Sequence, residues 1–478
     1  GATTFTGTIT AVGGTISFTD LPDGGVIAYN GGTVQFAGAS ADTSNRGIQI
    51  GTVGGGITST LNSSGTGALD MTSTAPVTNG GTLTAGAGLR LGGTNTGDNT
   101  FRGLLPNLSS VAIKLTKQDA GRWLVTNDNT FTGEVTLSGG TLSVPKVAAL
   151  GVAQPLGQGT SAIAISNGAR LEYTGVSGST NRGLQLSGTL GGAVDVDTGS
   201  TLALSGAISG SSSQFRKGGA GTFNFSGSGT WGNDFYVDAG VMNISGSVVN
   251  GGSLAAITIA PAATLRITGG GDVQGTIVDV QSGGTVSLEG GVLRTPNITQ
   301  ASPGGFVWSG GTLTTRVSNP SVLAGDGVDV SGAGGPEVFT GRLGTSDRTL
   351  EVSGDLTVAG NTNLDLGDLY LSSGVIYNSI RISGSLNVSS GTLTLTSLDT
   401  AYLLRPSNGG TPTDHGTLVL LEAASISGIT PSGLGFTGLT FIAPTSDSGR
   451  SLDQYTGGGW PLSGDPGNLP VDTWHLEV

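Results

Sequence analysis

The sequence predicts an all-β chain, a solenoid of short strands joined by sharp corners, on three observations. The first is an internal repeat. Lys117 to Val144 (KQDAGRWLVTNDNTFTGEVTLSGGTLSV) returns about one hundred residues later, without a gap, as Lys217 to Ile244 (KGGAGTFNFSGSGTWGNDFYVDAGVMNI). The second is period-two patterning. Trp123 and Val125 become Phe223 and Phe225, Phe131 becomes Trp231, Val135 and Leu137 become Phe235 and Val237, and Leu142 and Val144 become Met242 and Ile244. Apolar residues spaced i, i+2 place one face of a strand inward, so all of these are expected in the core. The third is composition. Of 478 residues 89 are glycine and only 11% are charged, well below the roughly 25% of an ordinary globular domain. A unit of short strands cannot bury its own apolar face, whereas stacked units share one interior.

Composition also bounds function. The net charge of −13, with basic residues scattered, argues against nucleic acid as a partner, because phosphate neutralisation needs clustered Lys and Arg. No run of 18 apolar residues is present, so no helical membrane span is expected. Cysteine is absent, which excludes disulfides, thiolate metal sites and a cysteine nucleophile. The chain starts at Gly1 without methionine, as a mature form does once a signal peptide is removed.

In chain order, residues 1–30 read as a first coil and cap, with turns at Gly13-Gly14 and Pro22-Asp23-Gly24-Gly25. Residues 31–345 read as solenoid built from repeated multi-coil blocks. Gly-Gly-Thr followed by an aliphatic marks a reused corner, at Gly14-Thr15-Ile16, Gly32-Thr33-Val34 and Gly140-Thr141-Leu142 among others. A longer repeat pairs Ser44-Asn45-Arg46-Gly47-Ile48 with Thr180-Asn181-Arg182-Gly183-Leu184. Residues 346–404 read as closing coils. Residues 405–478, richer in proline, read as a C-terminal β cap that includes Leu418–Leu421, Leu439–Ile442 and a terminal strand, with Trp474, Leu476 and Val478 on one face. Each coil is expected to take roughly 20 to 25 residues.

The pattern KxxAGxWxVxNxNTFTGxVTLSGGTLSV over Lys117–Val144 resembles the autotransporter-associated β-strand repeat of bacterial autotransporter passengers and other large secreted surface proteins. In the second copy the Asn-Thr-Phe-Thr-Gly element has become Gly-Thr-Trp-Gly-Asn. Leu350 to Leu386 is similar to the segment that closes many passengers, with Asn378 where that family has Asp. The resemblance implies a right-handed parallel β-helix (β-solenoid) on the outside of a bacterial cell.

Reactive side chains are few. Asp195 and Asp197, spaced to point outward together, and Asp365 with Asp368 are the carboxylates that could hold calcium or act as acid and base beside a groove. The competing reading is that sparse acids keep a neutral solenoid soluble, and no cofactor is expected. His415 and His475 lack a Gly-x-Ser-x-Gly elbow. Trp123 and Trp231 are expected in the core, and Trp460, in a Gly-rich loop, is the tryptophan expected to be exposed.

The function expected is that of a secreted, non-enzymatic bacterial surface structural protein that self-associates head to tail through its terminal coils. Phe5, Ile9, Trp474, Leu476 and Val478 would make that contact, since an unpaired strand edge is a template for another strand. The alternatives are a passenger-type adhesin that binds surface polysaccharide or a host surface, and a polysaccharide lyase or hydrolase.

Overall fold

The structure, a computed structural model, describes residues 5–51, 58–210, 212–250, 256–295, 297–301 and 305–314, and the backbone of the strands between 348 and 441. The described elements are all strands. Among the described residues no helix is long and apolar enough to cross a membrane. The chain divides into two compact units, Gly1–Trp231 and Gly232–Val478.

In the first unit the strands stack in parallel, one coil on the next. Ile9–Val12 lies beside Val26–Asn30, and Thr15–Phe18 beside Thr33–Phe36. The expected parallel β-solenoid is therefore present. Coil length is more elastic than expected, because register partners lie from 18 residues apart (Ile9 and Ile27) to 30 apart (Thr58 and Gly88). The excess sits in corner loops, which run over the surface and tolerate insertion.

The cross-section changes along this unit. From Gly88 to Tyr173 a strand pairs with the second strand after it, so a coil contributes two strands and a loop. Lys114–Lys117 thus meets Val135–Leu137, and Arg122–Val125 meets Thr141–Val144. The third strand column, which runs through Val26–Asn30, Gly47–Ile50 and Thr78–Asn79 and then gives way to loop, resumes with Ser177–Thr180 and continues into Thr201–Leu204 and Thr222–Phe225. The two copies of the repeat consequently differ. Around Phe131 the first copy is loop, whereas Ser228–Trp231 in the second is a strand paired with Ile208–Gly210.

The inward positions are those the alternation selects. Trp123, Val125, Phe131, Val135, Leu137, Leu142 and Val144 are fully buried, as are their counterparts Phe223, Phe225, Trp231, Phe235, Val237, Met242 and Ile244. Each such side chain is worth roughly 1.5 to 3 kcal/mol on burial. Trp123 donates its indole N–H to Gly92 O at 2.8 Å, and Phe215 lies 5.2 Å from Trp231 between ring centroids. The Gly-Gly-Thr corner is required at Gly140, whose φ is +60° and where a Cβ would strike the carbonyls of Gly121 and Asp119.

The second unit is solenoidal as well. Ala256–Ile259, Ile277–Val280 and Asn297–Gln300 stack in parallel, as do Gly240–Ile244, Ala263–Ile267 and Thr285–Arg294. Further on, Leu421–Ser427 and Leu439–Phe441 continue parallel pairing with Asn378–Ser390 and Leu393–Thr396, joined by an antiparallel hairpin of Thr430–Ser432 and Gly435–Thr437. The terminal strand expected over 471–478 lies outside the described residues.

Candidate functional site: a charged ladder on one sheet

One sheet of the first unit runs through Arg122–Val125, Thr141–Val144, Ala169–Tyr173, Gly192–Val196 and Phe215–Gly218. Its outward positions form two columns. One reads Arg122, Thr141, Arg170, Ala193, Arg216; the other reads Leu124, Ser143, Glu172, Asp195, Gly218. Arginine alternates with a small residue, so every second coil, roughly 10 Å along the stack, carries a guanidinium.

The rungs are cross-linked. Arg122 donates from Nε to Glu172 Oε2 at 2.8 Å, from Nη1 to Asp98 Oδ1 at 2.5 Å and from Nη2 to Ser143 Oγ at 3.1 Å. One side chain thereby spans several coils. Arg170 grips Asp195 through two parallel N–H donors, in the fork geometry that makes arginine–carboxylate pairs specific. Gly218 leaves room for this pair, since a Cβ there would run into Asp195 Oδ1 and Arg170 Nη2. Asp70 and Arg102 form a further bidentate pair at 2.9 Å, and Lys114 meets Glu134 at 2.6 Å.

Asp195 and Asp197 thus do share one region, but in different states. Asp195 is neutralised by Arg170. Asp197 is partly buried beside Glu172 and Asp195, and its pKa is raised by burial and by Glu172, with Arg122 opposing and Asp195 adding to the rise. Among the described residues no group of three or more His, Cys, Asp or Glu side chains converges as a metal site would. Asp365 ends the strand Thr362–Asp365, and Asp368 lies outside the described residues, as do His415, His475 and Trp460.

Of the residues expected at terminal contacts, Phe5 is half exposed with its ring under the Arg46 guanidinium, 5.3 Å from the centroid, and Ile9 is buried. Trp474, Leu476 and Val478 lie outside the described residues. The arginine ladder was missed at the sequence level. Its signal is a coil-length spacing, 25 residues from Arg170 to Asp195 and 50 from Arg122 to Glu172, which has meaning only once the register is known.

Parallel strands, Gly corners and an inward apolar stack define the class as a repeat-built β-solenoid. Residues 115–144 match the passenger-associated-transport-repeat family. The chain is 32% identical over 407 residues to the adhesin BmaC autotransporter of Brucella suis biovar 1 (strain 1330), an alignment that covers 75% of this chain and 11% of that protein. The two matches support an autotransporter passenger repeat protein, a class carried to the cell surface. No solved structure matches it.

Proposed function

We propose that this chain is a stretch of an adhesive passenger and that it makes contact through the outward ladder of Arg122, Arg170, Glu172 and Asp195. The observation that carries the reading is the 32% identity, over 75% of the chain, to a protein named as an adhesin. The geometry supports a binding role more than a reactive one. The outward charges form a regularly spaced row of paired groups, suited to a repetitive partner such as a surface polysaccharide. Beads coated with the protein are expected to adhere to host epithelial cells, less so after the cells are stripped of glycans. Arg122→Glu with Arg170→Glu should cut adherence at least tenfold while far-UV circular dichroism is unchanged. Wild-type beads that bind no better than albumin-coated ones would sink the proposal.

A second reading is head-to-tail association, with the chain itself as partner. It is favoured by the strands Ile9–Val12 and Thr15–Phe18, which among the described residues are paired on one side only, and by the half-exposed Phe5 near them. Sedimentation of the protein should show a concentration-dependent rise in mass that Phe5→Asp abolishes; a monomer up to millimolar concentration excludes it.

A further inference from the structure

The Asn-Arg-Gly element of the longer repeat puts an arginine into the solenoid interior twice, at Arg46 and Arg182, each 1% exposed. Both use their guanidinium to tie down corner carbonyls, but only the first is fully engaged. Arg46 donates from Nε to Pro22 O at 2.6 Å, from Nη1 to Gly7 O at 2.8 Å and from Nη2 to Phe5 O. Arg182 donates from Nε to Ser161 O at 2.8 Å and from Nη1 to Leu156 O at 2.6 Å, while its Nη2 is buried with no acceptor.

Arg182 also lines a cavity of about 20 Å³. The cavity lies where the solenoid regains its third strand column, between the loop that carries Val147 and Leu156 and the strand Ser177–Thr180. Its walls are otherwise apolar, with Leu171, Val194 and Leu202 among them. Of the two polar neighbours, Gln154 has both amide atoms turned to Ala148, accepting its N–H at 2.8 Å and donating to its carbonyl at 3.3 Å. Thr180 Oγ1 accepts the backbone N–H of Arg182 at 3.1 Å and keeps its own hydrogen for a further acceptor.

The unpartnered Arg182 Nη2 therefore leaves a buried cation with no anion beside it, while Thr180 Oγ1 keeps one lone pair as well as its hydrogen. Burial pushes the Arg182 guanidinium down to about 10, which leaves it cationic at neutral pH, and no carboxylate bears on it. A space of this size admits one small particle. Water could accept from Arg182 Nη2 and donate to Thr180 Oγ1, but it would leave the guanidinium charge unpaired. A halide needs no acceptor, and its pairing with the buried guanidinium offsets the cost of leaving either charge alone in an apolar site. We propose that the cavity beside Arg182 binds a single halide ion, chloride in ordinary media, as a fixed part of the coil where the third strand column resumes.

Bromide is the probe. Crystals grown in sodium bromide should give an anomalous peak in contact with Arg182 Nη2. Above saturation, a tenfold rise in bromide should raise the folded-to-unfolded ratio tenfold, with no such rise in sodium gluconate of equal ionic strength. Arg182→Met should lose both signals. Because that variant risks misfolding, Val147→Leu serves as a second test: it fills the cavity with the arginine retained, and should lose the peak while circular dichroism stays native. Peaks on the surface only, water at the site in bromide, equal stability in the two salts, or a peak that persists in Val147→Leu would each overturn the assignment.

Discussion

Lys117 sits at an inward position, level with Leu91 and Leu137 on the neighbouring coils, where alternation selects an aliphatic. It is fully buried, and its ammonium turns into the corner to donate to the carbonyls of Gln118, Asp119 and Gly139 at 2.6, 2.8 and 3.0 Å. Lys217, its counterpart in the second copy, is buried too and donates to Gly219 and Gly221. The lysine that opens the repeat is thus a corner clamp. Burial pushes Lys117 down to about 8 from 10.5, with Asp119 opposing. Between those values the unfolded chain binds the extra proton, so stability should rise as pH goes from about 8 to 10.5. Urea midpoints at several pH values should show this rise in the wild type and a flatter profile in Lys117→Met. That variant should also lose roughly 1 to 3 kcal/mol, because it strands the three carbonyls. Asp197 is the opposite case. Its folded-state pKa is raised from 3.8, so the ionised form is penalised in the native state above that raised value. Asp197→Asn should gain a little stability at neutral pH, under about 1 kcal/mol, and the gain should vanish as pH falls below 3.8.

An element here is a coil, held by its corners as much as by its strands. Asn129 shows how: its Oδ1 accepts Leu105 N–H at 2.7 Å and its Nδ2 donates to Pro155 O at 2.9 Å, so one buried amide joins three successive turns of chain. Asn99 plays a similar part, accepting from Leu69 N and donating to Arg122 O. Asn129→Ala should cost about 2 to 3 kcal/mol in urea unfolding, as two buried backbone groups lose their partners. The second copy carries Gly229 at that position, inside a strand, and holds the corner by backbone pairing instead. The difference falls where one repeat has loop and the other a strand. On the outer face, a double-mutant cycle of Arg170→Met and Asp195→Asn should return a coupling of about 1 kcal/mol, the size of a half-exposed bidentate pair.

At the scale of the molecule, each coil touches its neighbours and little else, so damage should stay local. Phe223→Ala, which removes a fully buried ring, should cost roughly 3 to 5 kcal/mol. In hydrogen exchange by mass spectrometry, protection should collapse around Thr201–Leu204 and Thr222–Phe225 while Thr15–Phe18 and Thr33–Phe36 keep theirs; uniform loss along the first unit would contradict the coil-by-coil account. The sequence alone determined the strand type, the inward set from Trp123 to Ile244, the Gly-Gly-Thr corners and the passenger resemblance. Each of those depends on a residue and its near neighbours: a two-residue period, a backbone angle, a local motif. Only the tertiary structure decided that Asp195 meets Arg170, that Arg122 reaches Glu172, that Lys117 and Arg182 are interior, and where the third strand column lapses and resumes. Those outcomes depend on which residues fall level on adjacent coils. That register is set by corner loops of 18- to 30-residue coils, whose lengths the strand pattern does not encode.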